Sequence, residues 1–248
     1  MARKTAGSAW RWSRTAETRR VLLRAAREVF TEQGFAKASV AEVVDRAGSS
    51  VGSLYHHFGG KTELFLALWR DHQDAHEERA SGAVAKARAG GEREPLALFV
   101  AGARAYLEGS WERRDLTRLF MDGDGPPGFE FMRRTRGHEW VRQNAVLLGA
   151  SADPVDRLMV AVLTTIIAEA AREVATCQTR GEAETIAAAA VRFIRRLDPL
   201  RPGDGPGAVR SAGPGAWRPP GEAREAAAHR DKSGADHDRG NAGVAGDP

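Results

Sequence analysis

Glycine breaks at Gly34, Gly48 and Gly59–Gly60 leave the chain between them room for only two helices of about two turns each. That spacing fixes the front of the molecule. Before the first break, Leu22, Ala25, Ala26, Val29 and Phe30 recur at helical spacing, which predicts a helix from about Ala16 to Gln33 with Gly34 as its stop. In "SVAEVVDRAG", Ser39 followed by Glu42 is a capping box, and Val40, Val43, Val44 and Ala47 form a buried stripe. In "SSVGSLYHHF", Ser50 caps a second short helix. Leu54 and Phe58 share its inner face, while Gly52, Ser53 and His56 point away from them. A long helix starts at Lys61 and passes Glu78. Two short helices behind a longer one, joined by a glycine-containing turn, are a helix-turn-helix.

The remainder reads as helix with loop breaks at "GGEREP", "DGDGPPG", "SADP" and "QTRGE". These delimit helices at 96–109, 111–121, 129–149, 154–177 and 182–197. No strand pattern stands out, so the fold class is all-α. The expected organisation is a basic disordered arm over 1–14, a helix-turn-helix domain over 15–62 and a larger helical domain over 63–198. A Gly/Pro-rich disordered tail over 199–248 follows, with ten Gly and seven Pro and few large apolar side chains. The lone Cys177 forbids an internal disulfide, fits a cytoplasmic chain and reads as core filler. No apolar run is long enough to span a bilayer.

The stretch "SSVGSLYHHFGGKTEL" admits several chemistries. Gly60, Lys61 and Thr62 spell the end of a phosphate loop, but Tyr55 stands where its first glycine belongs, and a helix precedes it. Adjacent His56 and His57 diverge on a helix and cannot easily share a metal. His72 and His76 are four apart but lack a third ligand, and their polar run suggests a solvated helix face. Ser49 and Ser50 sit on no strand-to-helix elbow. No catalytic group, metal or cofactor is therefore expected, and the chain reads as a non-enzyme. DNA is the remaining partner. Through Lys61 the chain carries eleven Lys/Arg against five Asp/Glu, an excess suited to a polyanion. Gly52 and Ser53 let a backbone approach a groove closely, and Tyr55, His56, His57 and Lys61 offer donors beside them.

The residues "TRRVLLRAAREVF", Gly34–Phe35, "ASV" at 38–40, Ala47–Gly48 and "GSLYHHFGGK" ending at Lys61 resemble the DNA-binding domain of the tetracycline-repressor (TetR) family. The resemblance covers Thr18 to Leu64 and implies that the helix from Ser50 to His57 enters the major groove. By position, Ser39, Tyr55, His57 and Lys61 match phosphate contacts, and Val51, Gly52, Ser53 and His56 match positions facing base edges. Ser49 and Val51 depart from the aliphatic and polar residues usual at their positions. Val51 can touch a thymine methyl but cannot hydrogen-bond a base, so shape and backbone contacts should carry more of the readout.

The last two helices carry apolar stripes: Val155, Leu158, Met159, Val162, Ile166, Ala170 and Val174 on one, Ile186, Ala190, Phe193, Ile194 and Leu197 on the other. The resemblance implies that they pair two subunits into a homodimer with a four-helix interface. It also implies a small-molecule effector held among the middle helices, where Trp69, Phe99, Tyr106, Trp111, Phe120, Met121, Phe129, Phe131, Met132 and Trp140 lie. The resulting expectation is a cytoplasmic, ligand-responsive repressor that binds a palindromic operator in double-stranded DNA, without a membrane partner. Two alternatives stay open: a dimeric DNA binder without a sensor, and an all-helical enzyme, for which the sequence offers no convergent acid–base groups.

Overall fold

The computed structural model describes residues 3–121 and 123–197. Among them every regular element is a helix: α1 (Arg3–Lys37), α2 (Val40–Arg46), α3 (Val51–Phe58), α4 (Lys61–Ala89), α5 (Pro95–Glu112), α6 (Arg114–Met121), α7 (Phe129–Leu148), α8 (Pro154–Thr176) and α9 (Arg180–Leu197). None is long and apolar enough to cross a membrane. The expected tail over 199–248 lies outside the described residues.

Two boundaries differ from expectation. The backbone of 3–14, expected as a disordered arm, continues α1. No proline interrupts that stretch, and its Ala, Arg, Lys and Trp residues are all compatible with a helix. α5 also runs past Ser110 to Glu112, with the Ser110 hydroxyl donating back to the Tyr106 carbonyl at 2.9 Å rather than capping a new helix. α1 breaks at Gly34, where φ of 79° and ψ of 171° suit glycine alone.

The helix-turn-helix is not a separate core. Leu22, Phe30, Val43, Leu54, Leu64, Phe65, Leu116, Phe120 and Phe129 form one buried cluster drawn from α1, α2, α3, α4, α6 and the start of α7. Phe65 stands at its centre. Its ring meets Phe30, Phe35, Phe120 and Phe129 edge-on, with centroids 5.4, 5.1, 5.3 and 5.1 Å away. Arg27 on α1 grips Asp115 on α6 with two hydrogen bonds of 2.6 and 2.7 Å. A second cluster, built from α5, α7, α8 and α9, holds Phe99, Leu107, Leu148, Leu163, Val191 and Ile194. α4 packs along α5 and so joins the two.

His72 and His76, expected on a solvated face, are buried at 4% and 2% exposure. Their turn of α4 is covered by Phe120 and Tyr106, whose rings lie 5.3 Å from His72 and 4.5 Å from His76 respectively. Among the described residues no third side chain joins them as a metal ligand. Burial, with Arg113 and Arg79 nearby, lowers the His76 pKa to about 4. Burial, His76 and nearby arginines push His72 well below its ordinary value.

Two measurements follow from this core. Phe65→Ala should cost about 3–5 kcal/mol, read as a lower urea midpoint. The folded chain also holds His76 neutral where the unfolded chain protonates it, so stability should fall as pH drops from 6.5 toward 4. His76 alone should account for about 2 kcal/mol between pH 7.5 and 5. Urea titrations of His76→Gln should show a correspondingly shallower loss.

Candidate nucleic-acid interface

α3 is too short to stand alone, and its ends show what fixes it. The Ser50 side chain accepts the Ser53 N–H at 3.1 Å. Gly59 closes the other end at φ 93°, with its N–H donating to the Tyr55 carbonyl at 2.9 Å. Leu54 is wholly buried beneath the helix, which orients the rest. Val51 and Tyr55 are about half exposed, at 48% and 53%. Gly52 and His56 face solvent, and Ser53 and His57 are half-buried. The expected reading surface is therefore accessible.

Two expected phosphate contacts have other work. The Ser39 hydroxyl donates to Glu42 at 2.7 Å and accepts the Glu42 N–H at 3.2 Å, completing the capping box. Its donor is committed, so Ser39 acts here as a helix cap. The Lys61 ammonium donates to the Ala36 carbonyl at 3.1 Å and lies 4.6 Å from the centre of the Phe35 ring. An ammonium has three donors, so two remain for phosphate. Burial, then His56 and Arg19, lower the His57 pKa.

Sequence reasoning missed Asp124. Its carboxylate receives the Ala36 N–H at 3.1 and 3.2 Å, so one peptide unit away from the Lys61 bond the turn after Gly34 is held from the α6–α7 loop. A glycine-rich loop gave no sign of such a partner. Arg19 was missed as well; its guanidinium sits 5.1 Å from the Phe58 ring.

A chamber of about 560 Å³ opens between α4, α5, α6, α7 and α8. Trp69, Phe99, Tyr106, Phe120, Met121 and Trp140 line it, as expected. Trp111, Phe129 and Met132 do not. Trp111 stacks under the Arg114 guanidinium at 4.2 Å, while Phe129 meets Phe65 and Trp69 edge-on and Met132 packs against that same core. Phe131 points to solvent at 68% exposure. The reading also missed His72, Gln73, Glu77, Arg136, Asn144 and Thr164, which share the lining. Those on α4 follow Trp69 at helical spacing, a pattern present in the sequence.

The expected pairing stripes divide. Val155, Leu158, Val162, Phe193 and Leu197 are exposed. Met159, Ile166 and Ile186 are half-buried against the chain's own core. Ala170, Val174, Ala190 and Ile194 are corrected to interior residues: α8 and α9 pack on each other and on α5, and this consumes that side of both helices.

Residues 22–68 match the family profile described as "Bacterial regulatory proteins, tetR family". The N-terminal domain belongs to the TetR family. Its α2–α3 pair is thus a TetR-family helix-turn-helix. The chain is 48% identical over 58 residues to the transcriptional activator FasR of Mycolicibacterium smegmatis, covering 23% of this chain and 26% of that protein. It is 43% identical over 54 residues to the transcriptional repressor AcnR of Corynebacterium efficiens, covering 22% and 29%. The matches thus span less than a third of either relative's length. Beyond the TetR-family domain the likeness is one of fold. A transcriptional regulator of Aquifex aeolicus superposes with a TM-score of 0.58 at 18% identity, covering 73% of this chain and 99% of that one.

Tyr55→Ala should weaken binding to every DNA sequence alike, by about 1.5 kcal/mol, without moving the melting temperature. Lys61→Ala should do the same and also lower the melting temperature, because it loses the Ala36 bond. His56→Ala should change the sequence selected from a random pool; an unchanged selected motif would remove His56 from the base-reading set.

Proposed function

We propose that the chain is a cytoplasmic, homodimeric, one-component transcriptional regulator. It binds a palindromic site in double-stranded DNA through two copies of α3 and acts as a repressor released by a small ligand. The observation that carries this reading is the exposed Val51–Gly52–Tyr55–His56 surface on a helix whose opposite side is anchored by buried Leu54. One such surface is small, and twofold pairing doubles it while imposing a symmetric site.

The exposed side of α8 and α9 supports pairing. Leu158 at 65% and Phe193 at 53% exposure leave an apolar surface that a monomer would present to water. A four-helix seam built from these faces buries it. The chamber supports a ligand-responsive mechanism. α6 contributes Phe120 both to the chamber wall and to the core under the helix-turn-helix. A ligand that prefers one position of α6 shifts the spacing of the two reading heads by its differential affinity. No cofactor enters the mechanism.

Sequence selection from random duplexes tests the DNA reading. The expected product is a palindrome whose half-sites lie about one helical turn or more apart, with affinity falling steeply as salt rises. An asymmetric motif would remove the twofold reading. Leu158→Glu with Phe193→Glu should give a helical monomer by sedimentation, with operator affinity reduced at least tenfold. A variant that stays dimeric would place the subunit contact elsewhere.

A further inference from the structure

Most of the chamber's charged side chains are paired within the chain. Arg136 pairs with Glu77 and with Glu139, the latter at 2.8 Å, and Glu77 also accepts from Gln143 at 3.4 Å. Arg133 bonds Glu130 at 2.9 Å and the Phe120 carbonyl at 3.1 Å. Arg172 pairs with Glu169 at 3.4 Å. The lining arginine without such a role in the interior is Arg88, which stands exposed at the far end of α4.

The neutral groups divide differently. The Asn144 amide donates to the Thr164 hydroxyl at 3.0 Å, Thr164 to the Val160 carbonyl at 2.8 Å and Thr117 to the Arg113 carbonyl at 3.2 Å. Two buried polar atoms on the lining find no partner, Nδ1 of His72 and Nε of the charged Arg136, and the Tyr106 side chain lines the same space. Tyr106 is partly exposed, and it lines the chamber. Enclosure pushes its hydroxyl up to about 12 against the pull of nearby Arg136, so it stays protonated. Its ring rests against His76 and Trp140, at 4.5 and 5.1 Å, which holds the hydroxyl in place.

We propose that the chamber takes an uncharged, largely apolar molecule carrying a carbonyl-type oxygen, and that the Tyr106 hydroxyl donates to that oxygen. This rests on the reading of the chamber as an effector site. In the chamber's interior a carboxylate ligand would meet Glu77 beside Arg136, which Glu77 and Glu139 already pair. A cation would meet Arg133, Arg136 and Arg172. Burying a charge with no free counter-charge is strongly disfavoured. A neutral acceptor instead takes a hydrogen bond from Tyr106 without bringing an unpaired charge into the interior. Trp69, Phe99, Phe120 and Trp140 supply apolar walls, and about 560 Å³ is a normal size for such a ligand site.

The test uses the full chain and four probes sharing one carbon frame: benzophenone, diphenylmethane, 4-benzoylbenzoate and 4-(aminomethyl)benzophenone. Titration calorimetry should rank benzophenone about tenfold or more tighter than the other three. Tyr106→Phe should erase its advantage over diphenylmethane while leaving diphenylmethane binding unchanged. His72→Gln, which leaves that hydroxyl in place, should keep the advantage. A charged probe binding more tightly than benzophenone, an advantage that survives Tyr106→Phe, or no binding by any probe would each overturn the proposal. The same probes are added to the chain bound to its selected duplex. Benzophenone binding without DNA release would sink the effector reading and leave the ligand class standing. DNA binding with no probe bound would sink the ligand class alone.

Discussion

Phe65 ties the reading head to the rest of the molecule. Its ring is shared edge-on by α1, the turn after Gly34, α6 and the start of α7. An aromatic cluster of this kind is close-packed and does not deform gradually. The helix-turn-helix therefore cannot shift against the larger domain without rearranging α6. Two polar joints reinforce the same link: Arg27 with Asp115, and Asp124 with the Ala36 peptide. The Ala36 unit is held from both ends, by the α6–α7 loop on its N–H and by Lys61 on its carbonyl. A side chain suited to phosphate and the loop leaving the chamber wall thus meet on one residue.

The larger domain uses a different logic. Its helices line a chamber whose interior ions, Arg136 with Glu77 and Arg133 with Glu130, are paired within the chain, while Nδ1 of His72 is left without a partner. Buried His72 and His76 stay uncharged for the same reason: removal from water disfavours the imidazolium, and nearby arginines add to the effect. On the ligand proposed for it, such a space selects by shape and by hydrogen bonding rather than by charge.

Local rules made the front of the chain legible. Ser39 with Glu42, Ser50 with Gly59, and the Leu54–Phe58 spacing each report local physics: a cap, a stop and a face. The structure returns all three, along with the helix boundaries that glycine and proline mark. What the sequence did not show depends on which helices meet. His72 and His76 looked solvated because nothing local says that Phe120 and Tyr106 cover them. Ile194 and Val174 looked like a pairing face because a stripe does not record which side of a helix its own chain occupies. Trp111 and Phe129 had the right chemistry for a chamber wall but packed elsewhere, and Asp124 had no local motif at all.

DNA cleavage from a tethered iron chelate locates the reading head directly. Cys177 is buried, so a cysteine introduced at exposed Ala41 on α2 carries the label selectively. On the selected duplex, the chelate at position 41 should cut at two symmetric places flanking the sites where α3 enters. The same chelate at exposed Val146 on α7 should leave the DNA intact. Cutting from position 146, or none from position 41 while the complex stays bound, would contradict the placement of α3 in the DNA.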